Sequence, residues 1–285
     1  LNRNFSAGCR SRSPAWALTG AIALAGIGGT AAAAAGPYAS SQPAPRVEYW
    51  QNRQTAIAEA LRDSASLAAV RLVFVGDSIT DFWLLDDNPW VKGQKNGRRI
   101  WDPSFGGLQP ENRALNIGIS GDRTEHLLHR LAPASQGGLG HLDPPALKPE
   151  FLIVMLGINN TWAAEEPVAD SVFEGVRAVL VRLHERQPSA RIVLQSLLPT
   201  SDPVKNAEVV HVVNQRLQAL AVSPAWSGFT AWLDLYPGFV DASGAQIAAL
   251  FNDGLHPNEA GYRIWRDRLL PFLAEQRRSG VAPRP

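Results

Sequence analysis

Asp253 and His256 stand three residues apart in the run FNDGLHPNEAGY, and Ser78 lies far upstream in VFVGDSITDFW. A serine hydroxyl becomes a nucleophile when a base takes its proton, and that base is usually a histidine oriented by a carboxylate. The chain has six histidines, and only His256 has a setting that supplies an orienting acid. On a short loop the Asp253 carboxylate can reach Nδ1 and leave Nε2 facing outward. Pro257 suits the first position of a helix, so the loop is expected to open one. Taken singly, Asp253 also fits a surface turn with an Asp cap, and Ser78 fits a serine that merely caps a helix. The GDS triplet is not the G-x-S-x-G elbow either, because Thr80 stands two positions after Ser78.

A tetrahedral intermediate also needs hydrogen-bond donors aimed at its oxyanion. Two runs offer them: LNIGISGDRTEHLLHRL with Gly118, Gly121 and Asp122, and FLIVMLGINNTW with Gly157, Asn159 and Asn160. A glycine lets its amide approach a ligand with no side chain in the way. An asparagine at a strand end can donate its side-chain amide, although turns commonly hold Asn for other reasons. His126 and His129, three apart on a helix, could share a face and bind a metal, but Arg130 is adjacent and no third ligand is evident. Trp83, Trp90, Trp101 and Trp162 could stack on a sugar, line an acyl pocket, or be core or lid.

These residues must be held by regular elements. Short apolar runs at Leu72 to Val75, Ala114 to Ile119, Phe151 to Leu156, Ile192 to Leu198 and Phe229 to Leu235 read as strands. Helical patterns fall at Thr124 to Leu131, Val168 to Arg186, Val204 to Ala221 and Pro257 to Glu275. A further amphipathic helix precedes the first strand, with Trp50, Ile57, Leu61 and Leu67 at helical intervals. Nearly continuous apolar strands alternating with helices imply a parallel sheet covered on both faces. Ligands of such sheets bind beyond the strand C-termini, which is where each motif above falls. The segment from Asp86 to Asn112, basic and glycine-containing, reads as a long surface loop.

The first 35 residues combine Arg3, Arg10 and Arg12, no acid, an apolar run from Ala15 and a small-residue stretch ending near Ala35. That order reads as a secretory signal peptide, which points to a secreted or periplasmic protein. Residues 36–46 read as a proline-rich linker, 47–277 as one domain and 278–285 as a tail. The formal charge of the chain is +1, and removing the three arginines leaves −2. Neither value is a footprint for nucleic acid or anionic membrane. The only cysteine, Cys9, precedes the apolar run, so disulfides, thiolate zinc sites and a cysteine nucleophile are not expected in the mature chain.

The ordered blocks GDSIT, NIGISGD, GINN and DGLHPN resemble the motifs of the SGNH or GDSL hydrolase family over about residues 70 to 275. GDRTEHLLHRL, GINN, LLP and GYRIW are most similar to the platelet-activating-factor acetylhydrolase catalytic-subunit branch. The resemblance implies a flavodoxin-like, three-layer α/β/α sandwich with a central parallel sheet of about five strands. It implies serine ester hydrolysis without metal or cofactor, with Ser78, Asp253 and His256 catalytic and Ser78, Gly121 and Asn159 forming the oxyanion hole. Asp77, Trp83, Asn160 and Trp162 are then candidate substrate contacts. Many members have aspartate where Asn160 stands, whereas the acetylhydrolase branch shows asparagine. The expected substrate is a short-chain, acetyl-type ester, with a carbohydrate as one candidate for its alcohol. An O-acyltransferase or a non-catalytic glycan-binding protein on the same fold is the alternative.

Overall fold

The computed structural model describes residues 38–46, 50–88, 91–163 and 165–280. The leader read over residues 1–35, Trp90, and residues 281–285 of the expected tail lie outside the described residues. The chain enters through α1 (Trp50–Ala60) and α2 (Ser64–Ala68). One amphipathic helix was expected across this region; instead Asp63 breaks it, its carboxylate accepting the N–H groups of Ala65 and Ser66 to start α2.

Five strands follow: β1 (Leu72–Gly76), β2 (Ala114–Asn116), β3 (Phe151–Met155), β4 (Arg191–Gln195) and β5 (Thr230–Leu233). All pair in parallel in the order β2-β1-β3-β4-β5. Phe74 of β1 is in register with Asn116 of β2 and Ile153 of β3. Every residue of β1, β3 and β4 is buried, which explains why the interiors of these segments read as nearly continuous apolar runs. The strand expected to Ile119 ends at Asn116, yet Ile117 and Ile119 still donate their N–H groups to the carbonyls of Phe74 and Gly76.

Helices cover the sheet. Between β1 and β2 lie α3 (Ser78–Asp81) and α4 (Arg98–Phe105). The latter falls inside the expected surface loop: Ile100, Trp101 and Phe105 make one buried face, concealed in the sequence by Pro103 and flanking glycines. These rings meet Phe74 and Trp83, and Trp83 in turn meets Tyr262 and Trp265. Next come α5 (Thr124–Leu131) and α6 (Val168–Arg186). After β4 the chain passes through α7 (Pro203–Lys205), a π turn (Asn206–Val210) and α8 (His211–Val222), where a single regular helix was expected. The last helix is α9 (Glu259–Arg278). Its cap is Asn258, which accepts from Ala260 and Gly261, so it starts two residues beyond Pro257.

Residues 38–46 do not behave as a free linker. Ser40 and Ser41 are buried, and the Ser40 carbonyl accepts the Thr124 hydroxyl at 2.6 Å. Ala44 N–H donates to Glu125 O, docking the segment against α5. The buried apolar residues from Trp50 to Leu273 form one cluster.

Candidate active site

The sheet order places the exits of β1 and β3 side by side, although β2 lies between them in sequence. Such a reversal opens a crevice at the carboxyl ends of the strands. Ser78, Gly121 and Asn159 follow β1, β2 and β3 respectively.

Ser78 is the first residue of α3, and Asp77 caps it by accepting the Ile79 N–H at 3.0 Å. The turn requires glycine before it: a Cβ on Gly76 would stand 2.4 Å from the Met155 carbonyl and 2.1 Å from Thr80 Oγ1. Asp253 and His256 come from a tight loop closed by the Asn252 N–H to His256 O bond. The loop is fastened outside as well, because Ser201 N–H and Gln246 Nε2 both donate to Gly254 O, at 2.8 and 2.9 Å.

The three side chains form a continuous hydrogen-bonded line. His256 Nδ1 lies 2.7 Å from Asp253 Oδ2, and His256 Nε2 lies 2.9 Å from Ser78 Oγ. Burial alone would raise the Asp253 pKa, but the hydrogen bonds and charge of His256 and the Leu255 N–H bring it down to about 2. The carboxylate is therefore ionised and accepts only. That assigns the proton to Nδ1, and the Ser78 hydroxyl then donates to Nε2. Such a line can take the proton from the serine as it attacks a carbonyl.

Further donors stand at the exits of β1, β2 and β3. Gly121 has φ +78°, a conformation glycine adopts without strain, and it sits in the turn after β2. The N–H groups of Ser78 and Gly121 have no acceptor among the described residues. Asn159 Nδ2 gives one hydrogen to Asp122 O at 2.8 Å, which fixes the amide and leaves its second hydrogen to donate.

Three arginines that sequence reasoning missed hold the turn containing Gly121. Arg46 donates to Ser120 O at 2.7 Å and to Asp122 Oδ1 at 3.2 Å. Arg53 pairs with Asp81 at 2.7 Å and donates to the carbonyls of Asn116 and Gly118. Arg130, fully buried on α5, donates to Asp122 Oδ2 at 2.8 Å and to Ile117 O at 2.8 Å. Arg130 had a sequence signal, since it occupies a buried helix position where an apolar residue belongs. Arg46 and Arg53 had none, for they reach this turn from 63 to 76 residues away.

The candidate substrate contacts divide. Trp83 is fully buried in the aromatic cluster, and Trp101 joins it there, so neither lines the site. Asn160 is buried and accepts the Thr124 N–H while donating to Thr124 Oγ1 and Glu125 Oε2, a bracing role between the β3 exit and α5. Asp77 is also buried; loss of solvent raises its pKa to about 7 against the pull of the Ile79 N–H and His256. Only Trp162 is open to solvent, at 55% exposure. His126 turns inward to accept the Arg123 N–H at Nδ1.

An all-parallel α/β sheet thus carries a serine, a histidine and a carboxylate in hydrogen-bonded line at its carboxyl edge. The chain belongs to the GDSL-like lipase/acylhydrolase family, whose model matches residues 74–264, and it is a carboxylic ester hydrolase. It is 32% identical over 219 residues to the platelet-activating factor acetylhydrolase IB subunit alpha1 of Bos taurus, covering 75% of this chain and 81% of that one. The alpha2 subunit of Rattus norvegicus is 32% identical over 196 residues, 67% of this chain and 70% of the relative. Among solved structures, a GDSL-like lipase from Bacteroides thetaiotaomicron superposes with a TM-score of 0.54 at 18% identity, over 78% of this chain and 98% of that one. Among the described residues no helix is long and apolar enough to cross a membrane.

Proposed function

We propose that this chain is an exported esterase that hydrolyses short acyl esters, acetyl esters above all, with Ser78 as nucleophile. The line from Ser78 Oγ through His256 to Asp253, at 2.9 and 2.7 Å, is the observation that carries this reading. His256 takes the serine proton as Ser78 attacks the ester carbonyl, and Asp253 holds the tautomer and stabilises the imidazolium. The amides of Ser78 and Gly121 and the side chain of Asn159 receive the oxyanion. His256 then protonates the departing alcohol, and a water activated by the same base releases the acid. The acetylhydrolase relatives support the short acyl group. The basic, apolar, small-residue order of residues 1–35 supports export. Burial of Trp83 and Trp101 leaves a carbohydrate alcohol with less support than the acyl preference has.

The test is hydrolysis of p-nitrophenyl acetate, butyrate and octanoate by protein recovered from the exported fraction. The expected result is kcat/KM falling with chain length, from a protein whose N-terminus lies near residue 36. Preference for octanoate contradicts the short-acyl assignment, and retention of residues 1–35 contradicts export.

A further inference from the structure

Asn159 and Trp162 lie on one 3-10 turn, Ile158–Trp162. With three residues per turn, positions i and i+3 eclipse, so Trp162 projects from the same side as Asn159, about 6 Å further along the axis. The indole is the exposed large aromatic among the described residues, on the turn that bears Asn159, and one of its faces is already occupied. Lys205 Nζ stands 3.7 Å from the ring centroid and donates to Thr161 Oγ1 at 3.2 Å. An ammonium at that distance excludes a sugar ring from the same face, so the pair presents a positive charge there, and sugar stacking, one of the readings open for Trp162, is not available on that face.

That charge has no carboxylate partner within 4.0 Å among the described residues. Asp202 attracts it from further off, while one of its carboxylate oxygens, Oδ1, caps α7 by accepting the N–H groups of Val204 and Lys205. Glu165 is held by Ala39 N–H and the Ser171 hydroxyl, and Glu166 by Val168 N–H. Lys205 is also fixed relative to the chemistry. Ser201, four residues before it, is bonded to Gly254 of the loop bearing Asp253 and His256, and Thr161 and Trp162 tie it to the turn bearing Asn159.

We propose that Lys205, carried on Trp162, is a specificity-determining cation that selects esters whose alcohol portion bears an anionic oxygen group, a carboxylate or a phosphate. The inference rests on the esterase reading and adds to it the charge of the substrate. The ammonium contacts the anion of the bound ester while the carbonyl occupies the oxyanion hole, which lowers KM for anionic esters and leaves the bond-breaking step as it is.

The experiment compares 4-acetoxybenzoate and 4-acetoxyphenyl phosphate with uncharged methyl 4-acetoxybenzoate, in wild type, Lys205→Met and Lys205→Arg. The readout is the ratio of kcat/KM, anionic over neutral. Lys205→Met is expected to lower that ratio about fivefold, through KM, as for one partly exposed charge contact. Lys205→Arg retains it, and added salt lowers it in the wild type. The anion giving the larger wild-type ratio identifies the group selected. A ratio unchanged in Lys205→Met, including the case where all three esters slow equally, overturns the inference and leaves the esterase reading intact. Failure of the wild type to cleave any of the three overturns both.

Discussion

Asp77 and Asp253 both feel the charge of His256, yet they ionise in opposite directions. Asp253 is exposed on its loop and accepts N–H groups from Leu255, His256 and the imidazole, so its carboxylate is favoured down to about pH 2. Asp77 is enclosed beneath α3 with one backbone donor, and burial lifts its pKa from 3.8 to about 7. Across that window the folded protein holds a proton that the unfolded chain releases, so this group's stabilisation is complete below pH 3.8 and is lost as pH rises through about 7. Asp77→Asn keeps an oxygen for the Ile79 N–H and removes the titration. Urea unfolding at pH 5 and pH 8 is expected to show a larger loss of stability with rising pH in wild type than in Asp77→Asn. Equal losses in the two proteins contradict the buried-carboxyl account.

The turn after β2 is the element on which the site depends most heavily, because it carries Gly121 and no strand hydrogen bonds hold it beyond Ile119. Arg130 supplies the most enclosed of its supports, donating to both Asp122 and Ile117. Replacing it by methionine leaves the buried Asp122 carboxylate with only Arg46, a loss expected to destabilise the fold by about 3 to 5 kcal/mol. Denaturant unfolding of Arg130→Met checks this, and a change below about 1 kcal/mol contradicts it. The strands and most helices were legible in the sequence because each buries a face with its own period, as the unbroken apolar run of β3 illustrates. What was not legible depends on partners distant in sequence. The helix Arg98–Phe105 looked like loop because its apolar residues are few and interrupted by Pro103, and only the aromatic layer around Trp83 and Trp265 makes them core. Asn258 rather than Pro257 starts α9 because the Pro257 region first bridges back to Phe251.

At the scale of the whole molecule, four motifs spread over some 180 residues meet at one sheet edge because the strand order brings the exits of β1, β2 and β3 together. Ser78, Asp253 and His256 could be named from the local chemistry of their motifs, whereas Gly121 and Asn159 were singled out from Gly118 and Asn160 only by the family resemblance. The division among the tryptophans could not, because burial of Trp83 and exposure of Trp162 are decided by what packs around each ring. The same holds for the docked segment at residues 38–46, whose Arg46 joins the N-terminal side of the fold to the turn bearing Gly121. Ester cleavage at this sheet edge stands on Ser78 being activated by His256. Labelling with a fluorophosphonate, which captures only an activated serine, tests that directly by mass spectrometry and residual esterase activity. One label per chain on the peptide containing Ser78, with activity lost in proportion and no label in Ser78→Ala, is the predicted result. Labelling at another residue, or undiminished ester hydrolysis by Ser78→Ala, contradicts it.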